Sequence, residues 1–192
     1  MTLTVGVLAL QGGVAEHVKL LETLGVNTLL VKKPEELQRC DALVLPGGES
    51  TTIDRLTRIF GLRQPLIDAI GAGLPTLGTC AGLILLAKNL EGPAADQQTL
   101  GLLDVTVARN AFGSQIDSAE AELAWCQQET PLRAAFIRAP AITRTGPEVE
   151  VLATYRKKIV GVQEGKLLGI SFHPELTGDT TVHRRLLELT TA

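Results

Sequence analysis

Residues 78–82 read Gly-Thr-Cys-Ala-Gly, and residues 171–176 read Ser-Phe-His-Pro-Glu-Leu. A thiol with glycine at two residues on either side has the form of a nucleophile elbow, G-x-S-x-G with Cys in place of Ser. There a strand turns sharply into a helix and the neighbours must be small. On such a turn Cys80 projects into a cleft, the helix N-terminus beneath it lowers the thiol pKa, and the Ala81 N–H is placed as an oxyanion donor. His173 and Glu175 are separated only by Pro174, which keeps the segment extended and lets the carboxylate orient the imidazole. Nucleophile, base and orienting carboxylate follow the logic of a catalytic triad.

Each motif alone has an ordinary explanation. G-x-C-x-G also marks close strand–helix packing around an inert thiol, and His-Pro-Glu also occurs in plain loops. Their coexistence gives them weight. A third motif, Val-Leu-Pro-Gly-Gly-Glu-Ser at 44–50, ends another apolar run with Gly47 and Gly48. Their bare N–H groups suit a second oxyanion donor as well as they suit phosphate, and they also suit a turn before a helix that starts at Ser50 or Thr51. His17 and His183 are the rival bases. Both fall in expected helices, where a histidine is more often at the surface or half-buried than catalytic.

The elements that must position these groups follow from hydrophobic pattern. Apolar runs at 3–10, 27–32, 41–46 and 74–80 alternate with helical spacing such as Val14, Val18 and Leu21, stopped by Gly25. That alternation predicts βαβ units and a parallel sheet buried on both faces, with functional loops at the carboxyl ends of the strands. After Lys88 a polar loop is followed by strand-like runs, some of them antiparallel. "KIVGVQ" and "KLLGISF" form a hairpin turning at Glu164-Gly165, and a last helix spans about Thr181 to Leu189. The expected fold class is α/β: three layers, a mostly parallel central sheet with flanking helices and a later antiparallel strand region. No repeat or linker divides the chain, so residues 1–192 are expected to form one domain.

Composition narrows the function classes. The chain has 192 residues, 45% of them hydrophobic, and a formal net charge of −3 with scattered Lys and Arg, which gives no footprint for nucleic acid or anionic membrane. No apolar run is long enough to cross a bilayer and the start lacks a basic signal region, so a cytoplasmic protein is expected. Cys40, Cys80 and Cys126 are odd in number and far apart, against both a disulfide framework and a zinc site. Cys40 and Cys126 are expected to be buried small hydrophobes.

Taken together, "PGGES", "GTCAGL" and "SFHPE" resemble the class I glutamine amidotransferases, in which a Cys-His-Glu triad hydrolyses glutamine to glutamate and ammonia. More narrowly, "LALQGGVAEH", "LPGGESTTI", "GTCAGLILLA", "RNAFGSQIDS", "FIRAP" and "FHPELTGD" resemble the glutaminase subunits of pyridoxal 5′-phosphate synthase, from about Val5 to Leu186. The resemblance implies Cys80 as nucleophile with His173 and Glu175, and Gly47, Gly48, Glu49, Arg109, Ile137 and Arg138 lining the glutamine site. Gly47 or Gly48 would join Ala81 in the oxyanion hole. The guanidinium groups suit the α-carboxylate and Glu49 the α-ammonium. It further implies no metal or organic cofactor, and a partner synthase subunit that combines ammonia with ribose 5-phosphate and glyceraldehyde 3-phosphate. The glutaminase would be weak until docked. The loop at Gln11 is expected to be the segment that docking rearranges, because its glycines sit at a strand end beside the cleft.

Two departures stand out. Ala119 replaces an expected aromatic residue and would loosen packing beneath the Arg109 loop, and Thr181 replaces a more usual basic residue at a surface or partner contact. Other readings of the same residues are a Cys-elbow peptidase, disfavoured because its His would follow soon after the Cys, a non-catalytic regulatory module, and a glutaminase serving another acceptor.

Overall fold

The computed structural model describes residues 2–112, 118–126 and 128–191. In chain order its first half runs β1 (Thr4–Leu8), α1 (Val14–Thr23), β2 (Asn27–Val31), α2 (Pro34–Leu37), β3 (Ala42–Leu45), α3 (Ser50–Ile59), α4 (Arg63–Gly71), β4 (Thr76–Thr79) and α5 (Ala81–Leu86). There follow β5 (Ala87–Glu91), β6 (Leu103–Ala108), β7 (Ser118–Leu123), β8 (Leu132–Ile137), β9 (Ala141–Thr145), β10 (Glu150–Tyr155), β11 (Lys158–Glu164), β12 (Leu167–Ile170), α6 (Pro174–Thr177) and α7 (Thr181–Glu188).

The short apolar runs become strands because both of their faces find helices to bury against. On β3, Ala42 and Val44 face one core while Leu43 and Leu45 face the other, the period of two expected of a strand covered on both sides. The first core takes Leu21 from α1 and Val182 and Leu186 from α7; the second takes Ile53, Leu66 and the apolar residues of α5. Two helical layers thus sandwich one ten-stranded sheet of order β2-β1-β3-β4-β12-β11-β9-β6-β5, with β10 paired to β11. The strands from β2 to β12 in that order are parallel; beyond β12 the β12–β11, β11–β9 and β9–β6 pairings are antiparallel, and the last, β6–β5, is parallel again. A separate antiparallel pair, β7 and β8, carries Phe136 into an aromatic cluster with Phe112, Tyr155 and Phe172. The expected α/β class, with its mostly parallel sheet and later antiparallel region, is the one observed.

Details differ. β5 follows α5 without a break, and β9 has no counterpart among the apolar runs read from the sequence. The β11–β12 turn falls on Gly165-Lys166, one residue later than expected, because Glu164 pairs with Leu167 and Gly165 takes the positive φ of 55° that a tight hairpin needs. In "RNAFGSQIDS", residues 113–117 lie outside the described residues. Ala119 is half-buried opposite Phe136, and Thr181 opens α7 with its N–H donating to Asp179 Oδ1 at 2.9 Å.

Candidate active site

Four neighbouring strands deliver their C-terminal loops to one edge of the sheet. β4 pairs in parallel with β12, Thr79 opposite Ile170, and Cys80 is the next residue after β4. The Cys80 N–H donates to the Ile170 carbonyl at 2.8 Å, so the elbow is laced to the strand that leads to His173. On the other side β3 ends at Leu45, and Gly47 and Gly48 follow it; next to β3, β1 ends at Leu8 and leads to Gln11.

Cys80 has φ 49° and ψ −101°, a conformation that L-residues rarely adopt and that the surrounding fold must impose. The residues two positions away on either side, Gly78 and Gly82, have to be glycine. A Cβ on Gly78 would lie 2.5 Å from the Gly82 carbonyl oxygen, and one on Gly82 would overlap the Leu45 carbonyl. Ala81 is the first residue of α5, where a helix leaves its N–H without an intrahelical partner. Cys80 itself is 8% exposed, at the floor of a cleft.

His173 hangs between the two ends of its own loop. Its N–H donates to the Ala135 carbonyl at 2.8 Å, tying it to β8, and its Nδ1 is 2.7 Å from Glu175 Oε1. Burial alone would lower the imidazole pKa, but its interactions with Cys80 and Glu175 outweigh burial and push it up to about 10. The ring is therefore an imidazolium near neutrality. Gly47 packs against this pair so closely that a Cβ there would fall on His173 Cε1.

The cleft has a volume of about 450 Å³, and Cys80, Ala81, His173, Gly47, Gly48, Glu49, Arg109, Ile137 and Arg138 all reach its wall. Of the catalytic and substrate-binding residues expected from the sequence, Glu175 alone is set back, behind His173 with a side chain 1% exposed. Glu49 also caps α3, where its carboxylate accepts from the Thr51 and Thr52 N–H groups at 3.2 and 2.8 Å and from both threonine hydroxyls. Burial alone would raise its pKa, but these bonds prevail and lower it to about 2. Arg109 Nη2 lies 3.8 Å from Glu49 Oε1, and Arg109 Nη1 donates to Gln97 Oε1 at 3.1 Å. Gln97 in turn donates to Ser50 Oγ at 2.9 Å. The loop after β1 sits on the Gly-Gly loop: the Glu49 N–H donates to Gln11 Oε1 at 2.8 Å and the Gly13 N–H to the Gly47 carbonyl at 3.0 Å.

Some residues sit where the sequence did not put them. His17 and His183 are fully buried, not at the surface, because each lies on the apolar stripe of its helix. Cys126 is exposed and Cys40 half-buried; burial and the neighbouring Asp41 push the Cys40 thiol up to about 11, leaving it a poor nucleophile. Asn110 and Pro140, not singled out in the sequence, line the cleft from the same motifs that supply Arg109 and Arg138, and Gln97 reaches Arg109 from a polar loop of no distinctive pattern. Among the described residues no group of three or more His, Cys, Asp or Glu side chains is placed to hold a metal ion, and no helix is long and apolar enough to cross a membrane.

The chain is 55% identical over 190 residues to the "Pyridoxal 5'-phosphate synthase subunit PdxT" of Cutibacterium acnes, covering 95% of this chain and 94% of that one. It is 52% identical to the protein of the same description from Kineococcus radiotolerans, covering 97% and 94%. A crystal structure described as a glutamine amidotransferase superposes with a TM-score of 0.92 at 46% identity, over 98% of this chain and 99% of that one. Residues 7–191 match the SNO glutamine amidotransferase family, and the chain belongs to that family.

Proposed function

We propose that this chain is the glutaminase subunit of a pyridoxal 5′-phosphate synthase, acting as a single cytoplasmic domain that hydrolyses L-glutamine and hands the ammonia to a synthase subunit. The observation that carries the reading is the alignment of Cys80, His173 and Glu175 at the ends of two hydrogen-bonded parallel strands, against the cleft that also holds Arg109 and Arg138. Relatives that are about half identical over almost their whole length bear the corresponding description.

The Cys80 sulfur attacks the carboxamide carbon of glutamine, and the carbonyl oxygen takes up the displaced electron pair. The N–H groups of Ala81 and of Gly47 or Gly48 receive that oxyanion; removing such a donor costs about 3–4 kcal/mol of transition-state stabilisation. The tetrahedral intermediate collapses as the C–N bond breaks, and the His173 imidazolium gives its proton to the departing nitrogen, which leaves as ammonia. Neutral His173 then takes a proton from water as its oxygen attacks the γ-glutamyl thioester, and glutamate leaves with the sulfur restored. Glu175 keeps the ring aimed throughout and stabilises its charged form. Arg109 and Arg138 anchor the α-carboxylate; Glu49, its acceptor positions occupied by the α3 cap and Arg109, supplies a negative field for the α-ammonium. Ammonia released into water is protonated and lost, which is why the reaction needs a partner that consumes it. The step needs no metal or organic cofactor.

The test is glutamate release from glutamine with and without the synthase subunit of the same host, comparing wild type with Cys80→Ala. The expected result is activity that rises with the partner and vanishes in the variant. Activity surviving in Cys80→Ala would overturn the nucleophile; silence of the wild type under both conditions would overturn the partner.

A further inference from the structure

A second set of titratable side chains lies directly behind the triad. His17 on α1 and His183 on α7 are both fully buried. His17 Nδ1 is 2.9 Å from His183 Nε2, while His17 Nε2 is 3.2 Å from the Thr79 hydroxyl and 3.5 Å from Glu175 Oε1. Glu175 Oε1 therefore stands between two imidazoles, His173 on the cleft side at 2.7 Å and His17 on the core side. Within this set, Glu175 Oε2 and His183 Nδ1 are buried and have no hydrogen-bond partner among the described residues.

The ring protons can be placed from these contacts. Burial, then repulsion from His183 and His173, holds His17 well below its ordinary pKa, and burial lowers His183 to about 4, against a smaller raising effect of Asp179. Both rings are neutral at pH 7 and each carries one N–H. In one arrangement the Thr79 hydroxyl donates to His17 Nε2 and His17 Nδ1–H donates to His183. That leaves the His183 Nδ1–H buried with no acceptor and turns a ring lone pair toward a carboxylate. In the other, His183 Nε2–H donates to His17 Nδ1, and His17 Nε2–H faces the Thr79 oxygen and Glu175 Oε1. This second arrangement leaves a bare acceptor nitrogen, a lesser defect than an orphaned N–H, and directs a positive edge at the carboxylate.

We propose that His17, fixed in its Nε2–H tautomer by His183, is a positioning residue that holds Glu175 Oε1 in line with His173 Nδ1 and so aims the base at Cys80. Among the described residues the carboxylate has no further polar anchor on its core side: its second oxygen has no hydrogen-bond partner, so without His17 only the bond to His173 fixes its rotation about its last bond. The groups facing His17 are Thr79 from β4, Glu175 from α6 and His183 from α7, with His173 beyond the carboxylate.

The kinetic arm of the test rests on the glutaminase reading and uses the complex with the synthase subunit. His17→Leu keeps the bulk and loses the donor; His17→Gln places an amide N–H near the lost Nε2–H. The expected result is a fall in kcat of about tenfold or more for His17→Leu with KM within about twofold of wild type, and recovery of most of that loss in His17→Gln. A folded His17→Leu with wild-type kcat, or equal loss in both variants, overturns the proposal. The second arm needs neither variant nor substrate: nitrogen NMR of the wild-type protein labelled in its histidines. A protonated Nε2 and bare Nδ1 on His17 supports the proposal, and the opposite tautomer overturns it even where the variants fail to fold. A wild-type complex inactive on glutamine would sink the proposed function while leaving the tautomer readout intact.

Discussion

Gly47 lies against His173 so closely that any side chain at position 47 would occupy the space of the imidazole Cε1, and the same position comes within 3.4 Å of the Cys80 Cβ. One backbone turn thus forms the wall against which Cys80 and His173 are set, and in the proposed mechanism it also offers an N–H to the oxyanion.

Gly47→Ala should therefore abolish glutamine hydrolysis, by about a hundredfold or more, the scale on which losing an oxyanion donor or a base alignment acts. The overlap is local, so the fold should survive. Steady-state kinetics beside a thermal melt checks this, and a variant with normal kcat would show that the loop relaxes freely.

His173 gives a pH signature. Its pKa is about 10 when folded and near the ordinary histidine value when unfolded. Because the folded value is raised, the stabilisation is complete below about pH 6.5 and is lost as pH rises through about 10. Melting temperature should fall over that window in the wild type and flatten in His173→Gln. The alkaline limb of kcat/KM should likewise lie near pH 10; a limb near 6.5 would mean the imidazolium is not held.

Gln97 braces Arg109 from a loop with no chemistry of its own. Gln97→Ala removes the acceptor for Arg109 Nη1 and the donor to Ser50. The expected effect is a KM for glutamine raised several-fold with kcat little changed, since the lost contact acts on ground state and transition state alike. An unchanged KM would count against Arg109 as the carboxylate anchor.

Gln11 accepts the Glu49 N–H and holds the β1 loop over the Gly-Gly turn. Gln11→Ala should lose most of the stimulation by the synthase subunit while leaving the melting temperature within a few degrees of wild type. Full partner-stimulated activity in this variant would remove the loop from the docking response.

What the sequence disclosed was chemistry that is local along the chain. Gly78, Cys80 and Gly82 are legible because one elbow needs all three, and His173 with Glu175 because a two-residue spacing is enough to pair them. The apolar runs of the first half revealed its strands: β1, β3 and β4 are buried almost throughout, and the half-exposed edge strand β2 was still marked by its Leu-Leu-Val run. Gln97 was not legible: its role depends on a polar loop reaching Ser50 and Arg109 from elsewhere in the chain, and no pattern encodes that. His17 was legible and overlooked. It falls with Val14, Val18 and Leu21 on one helical stripe, and a polar residue on such a stripe is buried with a partner or not tolerated. β5 escaped because "AKNLE" has exposed, charged residues and pairs only at the sheet's end.

The pairing of β12 with β4 has a consequence for the order in which the protein assembles. β12 is added beside β4 only after the whole run from β5 to β11 has been synthesised, and contacts so distant along the chain close late. A nascent or prematurely terminated chain carries Cys80 but lacks His173 and the strand that Cys80 is laced to. The thiol waits without a base, and hydrolysis begins when the last parallel strand is zipped into the middle of the sheet.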